Sequence, residues 1–332
     1  MLIPNFYITE NAAIRLLYEC NGKRLFFLEG LARNFTYLPT FRPEDFLYVQ
    51  LSWHTPKSSF DNEFEICAQF NIDPLKVVWL CNTLQELVHA RACGFSALFC
   101  NHNCWLDEAL FPLRSHAERI YDIVLVTRPE GWKRPFLASK CTNLAIVKGY
   151  NFRKNDYFEL ESLNPAFIND ERLTPAEVSS ILSSSYTGGC FSSEEGACYS
   201  SSEMLLSGLP VVSTRSLGGR DVWYDNHNSI IVDPEPDAVM AAVVALKDRY
   251  SRQPDFSASI RSRHISLSYE HRNRFILHVA ETLGVDICES LRLFKEYIFK
   301  HKMVEYHHSS RLPSWMRQMD PGLVGPSGIG PA

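Results

Sequence analysis

Between residues 122 and 234 five short apolar runs alternate with stretches of helical character, and this alternation constrains the fold most. The runs are "DIVLVT" (122–127), "NLAIVKG" (143–149), "TGGCFS" (187–192), "LPVVST" (209–214) and "NSIIVDP" (228–234). Each is strand-length with an apolar centre. Each is separated from the next by more chain than a hairpin needs, so the pattern predicts a parallel sheet closed by crossover helices. Two of the helical stretches carry their own signals. "TPAEVSSILSSS" opens with a capping box, with Thr174 as cap, Pro175 at the first helical position and Glu177 three residues after the cap. "EPDAVMAAVVALKDRY" (235–250) has acidic residues at its start and Lys247 and Arg249 near its end, as the helix dipole favours.

A less regular block precedes it. Its candidate strands are "RLFFLEG" (24–30), "DFLYVQLSW" (45–53), "KVVWLC" (76–81) and "SALFCN" (96–101), with a helix in "TLQELVHARACG" that Gly94 ends. Polar residues follow these strands directly: Ser52 and His54, Asn82 and Thr83, Asn101 to Asn103. In α/β sheets ligands bind beyond the carboxyl ends of the strands. "FPLRSHAER" (111–119) reads as a hinge, so the 332 residues divide into α/β halves at 1–118 and 119–300. Residues 271–300 read as one or two helices. The Pro- and Gly-rich stretch 301–332 reads as a largely disordered tail.

Composition narrows the class. At 45% hydrophobic and 21% charged residues the chain is globular, not disordered. The net charge of −5, with no basic run or stripe, argues against nucleic acid as a partner. No two of the ten cysteines are spaced Cys-x-x-Cys, which leaves a zinc ribbon or redox pair unsupported. The first residues lack the basic start and apolar core of a signal peptide, and no apolar run reaches the roughly 18 residues of a membrane span. These features predict a cytoplasmic protein with free, mostly buried thiols, compatible with docking on a membrane surface.

The chemistry concentrates in "TGGCFSSEEGACYSSSEMLLSG", which runs from strand to loop to helix. Gly208 caps the helix end, and the start is expected among Ser200 to Ser202. That places Glu195 in the loop and Glu203 in the first helical turn, with seven residues between them. Gly196 and Ala197 leave the backbone approachable. The amides from Tyr199 to Ser202 would face outward with the dipole behind them, a natural anion site. A phosphate flanked by two hydroxyl-bearing groups fits, and a nucleotide sugar is such a ligand. The same residues also suit a bland role: a first-turn glutamate drawn to the dipole, and a solvated loop carboxylate. "VTRPEGWKRP" adds weight to the ligand reading. Arg128 and Lys133, five apart at a strand's carboxyl end, supply the cations that a diphosphate needs, since the dipole offers only about half a charge. Taken singly, an Arg or a Lys in a loop is more often merely solvated.

Together these elements resemble the retaining glycosyltransferases of family four. The resemblance rests on Arg128 and Lys133, on Glu195 with Glu203, on "SGLPVVST" (207–214), on Gly218 and Gly219, and on "NSIIVDPEPDAV" (228–239), in collinear order over roughly residues 120–245. It implies the GT-B fold, two Rossmann-like α/β domains facing across a cleft, with the terminal helices returning toward the first domain. It implies that Arg128 and Lys133 hold the donor diphosphate, Glu195 contacts the donor sugar, and the backbone from Gly196 to Ser200, through Ala197, Cys198 and Tyr199, touches sugar and phosphate. Glu203 would take the ribose, and the base would sit near Asn169 to Leu173. The chain departs from the family in a short first domain without the early glycine-rich loop. Asn82 stands where many members have a histidine, and His54 and His102 follow neighbouring strands on this sugar and acceptor side.

The expectation is a retaining hexosyltransferase of polysaccharide or glycoconjugate synthesis, moving sugar from a UDP-hexose to a saccharide or lipid-linked saccharide. No Asp-x-Asp pair occurs, so neither a divalent metal nor another cofactor is expected. Two alternatives stay open: a GT-B-fold scaffold subunit without catalysis, and a sugar-nucleotide epimerase of similar fold.

Overall fold

The computed structural model describes residues 5–8, 13–20, 23–28, 30–114, 117–150, 152, 154–284 and 286. The chain divides into two compact units. One comprises the residues up to Trp105 together with those from Glu270; the other is Leu106–Tyr269.

The first unit is a six-stranded sheet in chain order: β1 (Asn5–Ile8), β2 (Ala13–Cys20), β3 (Lys23–Leu28), β4 (Phe46–Gln50), β5 (Val77–Cys81) and β6 (Ser96–Phe99). β3 to β6 run parallel, while β2 pairs antiparallel with β3 and β1 antiparallel with β2. A parallel sheet buries both faces. On one face Leu28, Val49 and Trp79 pack against Phe60 and Cys67 of α1 (Lys57–Phe70) and Ala90 of α2 (Leu84–Ala92). On the other, Tyr48 meets Phe275 of α6 (Phe256–Leu283) edge-on, ring centroids 5.1 Å apart. Each of these fully buried large side chains stabilises the unit by about 1.5–3 kcal/mol.

The second unit holds β7 (Tyr121–Thr127), β8 (Leu144–Lys148), β9 (Phe167–Ile168), β10 (Ser185–Cys190), β11 (Val211–Thr214) and β12 (Ser229–Val232). All are parallel, in the order β12-β11-β10-β7-β8-β9. This is the Rossmann order. The chain steps outward from β7 to β9, then returns to lay β10 beside β7. There the loops leaving the two strands diverge and open a crevice. α3 (Pro175–Ser183) and α4 (Tyr199–Leu206) supply crossovers, and α5 (Pro236–Arg252) follows the last strand, its Val239, Val243 and Leu246 packing on Leu125, Ile146 and Val212. The Thr174–Glu177 capping box is formed, and Gly208 takes the left-handed conformation (φ +75°) that closes α4.

Several elements differ from the sequence reading. β1, β2, β9 and α1 are additions to it. α6 begins at Phe256, well before residue 271, and its predicted continuation to 300, like the tail 301–332, lies outside the described residues. α4 begins at Tyr199, and Cys198 before it has φ +57° with no side-chain cap. The expected serine cap fails because Ser201 and Ser202 are fully buried, and the Ser201 hydroxyl donates to the Tyr224 hydroxyl at 2.8 Å. Glu203 therefore lies in the second turn, not the first. Among the described residues no helix is long and apolar enough to cross a membrane.

Candidate active site

The crevice between β7 and β10 is an open concavity, lined by Thr127, Lys133, Glu195, Cys198 and Ser200 over the ends of the two strands. The loop after β7 delivers Lys133 on a single 3-10 turn, Gly131–Lys133, which ends where Arg134 adopts φ +53°. The loop after β10 delivers Glu195.

Glu195 is 5% exposed, yet it is a carboxylate at a strand end. Burial of a charge requires partners, and two are present. Lys133 Nζ donates to Oε1, and the Ser192 hydroxyl donates to the same oxygen at 2.7 Å. Ser192 is itself fixed from below. Arg220, fully buried, donates through NH1 to the Ser192 carbonyl and hydroxyl oxygens, both at 3.0 Å, and through NH2 to the Thr214 carbonyl. Arg220, Ser192, Glu195 and Lys133 thus form one chain of charge-assisted hydrogen bonds from the protein interior to the pocket.

The backbone carrying Glu195 is stapled to the loop after β11. Glu195 N–H donates to Leu217 O at 2.9 Å, Leu217 N–H to Ser193 O at 2.8 Å, and Gly219 N–H to Gly196 O at 2.6 Å. Gly218, at φ +101°, makes this possible: a Cβ there would lie 1.7 Å from the Glu195 carbonyl oxygen.

Arg128 stands apart from this chain. Its Nε lies 3.1 Å from Oε2 of Glu130, a carboxylate with no exposed side-chain surface, and the Trp132 indole N–H donates to the same oxygen at 2.9 Å. The Trp132 ring also takes both cations, Lys133 Nζ at 4.2 Å and the Arg128 guanidinium at 5.5 Å from its centroid. Arg128 and Lys133 are thereby held as a pair about one indole ring, with Arg128 more than a third exposed.

The structure places the other expected residues as follows. Ala197 is buried, and Cys198, Tyr199, Ser200 and Glu203 are half-buried. Asn169 is 4% exposed with its amide committed to backbone, accepting from Lys148 N at 2.6 Å and donating to Lys148 O and Glu171 O. Asn82, His54 and His102 belong to the first unit. Asn82 is fully buried, donating to Leu51 O at 2.9 Å and accepting from His102 N at 2.8 Å, so its side chain ties strand-end loops together. His54 lies 3.9 Å from Glu86, a buried carboxyl that accepts three backbone N–H groups and is nevertheless pushed up by burial. Sequence reasoning did not find Ser192, Arg220, Glu130 or Trp132 as site residues.

No family model and no curated protein matches the chain. Solved structures do. It is similar to TarM over 81% of this chain and 67% of that one, at 15% identity and a TM-score of 0.55. It is similar to sucrose-phosphate synthase from Thermosynechococcus elongatus over 82% and 73%, at 14% identity and a TM-score of 0.53. A point mutant of S. aureus TarM in complex with Fondaparinux, alpha-GlcNAc-glycerol and UDP matches over 87% and 68%, at 14% identity and a TM-score of 0.50. The fold is GT-B. At such identities the likeness speaks to architecture alone, and the chemistry rests on the residues above.

Proposed function

We propose that this chain is a retaining glycosyltransferase that moves a sugar from a nucleotide diphosphate sugar, a UDP-hexose, to a hydroxyl of a saccharide or lipid-linked saccharide without a divalent metal. The observation that carries the reading is the pairing of half-buried Lys133 with buried Glu195 at the switch point, backed by Ser192 and Arg220. Glu195 keeps a second carboxylate oxygen for donor-sugar hydroxyls. Lys133 uses one of its three N–H donors on Glu195 and retains two for phosphate oxygens. Arg128, half-exposed beside Lys133, offers a planar fork to the leaving diphosphate. Glu203, on α4, takes the ribose hydroxyls. The amino end of α4 adds its partial positive charge where negative charge grows as the glycosidic bond breaks. The S. aureus TarM crystallised with UDP and a saccharide lends support from the same fold.

In this mechanism the protein stabilises a departing anion and supplies no covalent nucleophile. The leaving phosphate takes the acceptor proton on the face that it vacates. The test is UDP release from UDP-glucose, with and without saccharide acceptors, by wild type and Lys133→Ala. Turnover should fall at least about 100-fold in the variant, near 2.7 kcal/mol of barrier. Near-normal turnover would refute the assignment.

A further inference from the structure

The turn that delivers Lys133 is fastened by the residue after it. Arg134 holds the left-handed conformation (φ +53°), where glycine is the ordinary occupant and a long side chain needs a reason. Its half-buried guanidinium supplies one. Nε donates to the Phe191 carbonyl oxygen at 2.5 Å and Nη2 to the Thr214 hydroxyl oxygen at 2.7 Å, while that hydroxyl donates to the same Phe191 oxygen at 2.9 Å. Phe191 directly follows β10 and Thr214 ends β11. One fork therefore joins the loop after β7 to the carboxyl ends of two other strands.

We propose that Arg134 is a positioning residue that presets Lys133 for the donor diphosphate, an inference that rests on the donor-site reading above. It acts through the geometry of the two loops and touches neither the sugar nor the base.

Three features favour this role. The first is a double bridge. Neighbouring residues of one loop grip two points of the other: Arg134 takes Phe191, and Lys133 takes Glu195 four residues further on. A lysine stem alone leaves the approach of its ammonium loose, and the rigid fork beside it removes that freedom. The second is continuity with the buried chain beneath Glu195. Arg220 donates to the carbonyl of Ser192, next to Phe191, and to the carbonyl of Thr214. The two guanidiniums thus hold successive carbonyls at the root of the Glu195 loop, and Thr214 from its hydroxyl and its carbonyl. The third is charge. The oxygens that Arg134 meets on Phe191 and Thr214 are neutral, and burial, then Arg220, push its guanidinium below its ordinary range. A diphosphate in the crevice would balance that charge.

In the donor-site reading Lys133 shares Glu195 with the sugar, so it faces the phosphate next to the sugar, which UDP has and UMP lacks. The test titrates wild type, Lys133→Ala, Arg134→Asn and Arg134→Lys with UDP and with UMP by calorimetry. Asparagine tolerates the left-handed backbone but is too short for the clamp, and lysine keeps the charge without the fork. Arg134→Asn should lose about 10-fold in UDP affinity and keep its UMP affinity, a split that general loosening of the fold would not give. Arg134→Lys should resemble Arg134→Asn. Equal losses for UDP and UMP, a lysine variant with wild-type UDP affinity, or an asparagine variant with wild-type UDP affinity beside a weakened Lys133→Ala would each overturn the inference. Equal UDP affinity in wild type and Lys133→Ala would sink the donor-site reading beneath it. None of these measurements depends on the protein transferring sugar.

Discussion

At the scale of single residues, the site depends on how a carboxylate can sit buried at a strand end. Glu195 accepts from Lys133 and from Ser192, and Ser192 is oriented by Arg220 beneath it. Glu195 and Lys133 are legible in the sequence because their spacing from neighbouring motifs marks strand ends. Ser192 and Arg220 are not. A serine in a serine-rich loop carries no signal, and an arginine in "GGRD" reads as a surface residue, since arginine is rarely fully buried unless paired. Only the fold shows that its carbonyl partners come from two different loops. Ser192→Ala should leave the fold intact but remove a hydrogen bond to a charged acceptor, worth about 1.5–3 kcal/mol. UDP release from UDP-glucose should fall about 10- to 100-fold in kcat/KM, and an unchanged value would show that Ser192 does not hold Glu195 for donor.

At the scale of elements, the strands are easier to read than the helices. β7, β8, β11 and β12 are short apolar runs within polar surroundings. α1, "KSSFDNEFEICAQF", hides its helix: Ser, Asp, Asn and three phenylalanines have weak propensity, Pro56 precedes it without a side-chain cap, and Asn71 ends it at φ +54°. Packing of Phe60, Ile66 and Cys67 on the sheet decides the matter instead. α4 shows the opposite failure, in which good capping serines are drawn into the interior and the helix begins without them. The loops that flank α4 in space depend on Gly218. Gly218→Ala combines a left-handed φ with a Cβ inside the contact radius of the Glu195 carbonyl oxygen. It should cost at least about 2 kcal/mol in urea unfolding, against near zero for an ordinary surface Gly→Ala change. A variant as stable as wild type would mean that the staple between the two loops is not formed.

At the scale of the whole molecule, each α/β unit and the parallel order of its strands follow from strand–helix alternation. The antiparallel hairpin of the first sheet does not, because β2 mixes charged and apolar residues without a clean period. The first unit also predicts a pH dependence. His271 is held neutral at about 4, chiefly by burial and then by Arg274, while its ring meets the Phe99 carbonyl and the Asn101 N–H. The unfolded chain takes up that proton near pH 6.5 and the folded chain only near pH 4. Between those values the unfolded state binds more protons, so stability falls as pH drops, by up to about 3 kcal/mol. Glu63, raised to about 7 by burial, has the opposite slope, with stability falling as pH rises from 4.5 to 7. The difference between wild type and His271→Gln isolates the histidine. The variant's urea-unfolding free energy should decline less from about pH 6.5 to 4; parallel curves would show that His271 is protonated in the folded state.

The proposed binding of a nucleotide diphosphate at the carboxyl ends of β7 and β10 depends on Lys133. It is tested most directly by melting wild type and Lys133→Ala with and without saturating UDP, since a ligand bound only by the folded state raises the melting point by several degrees at about 100 times its Kd. A clear rise is expected for wild type and little or none for the variant. An equal rise in both, or none in either, would contradict it.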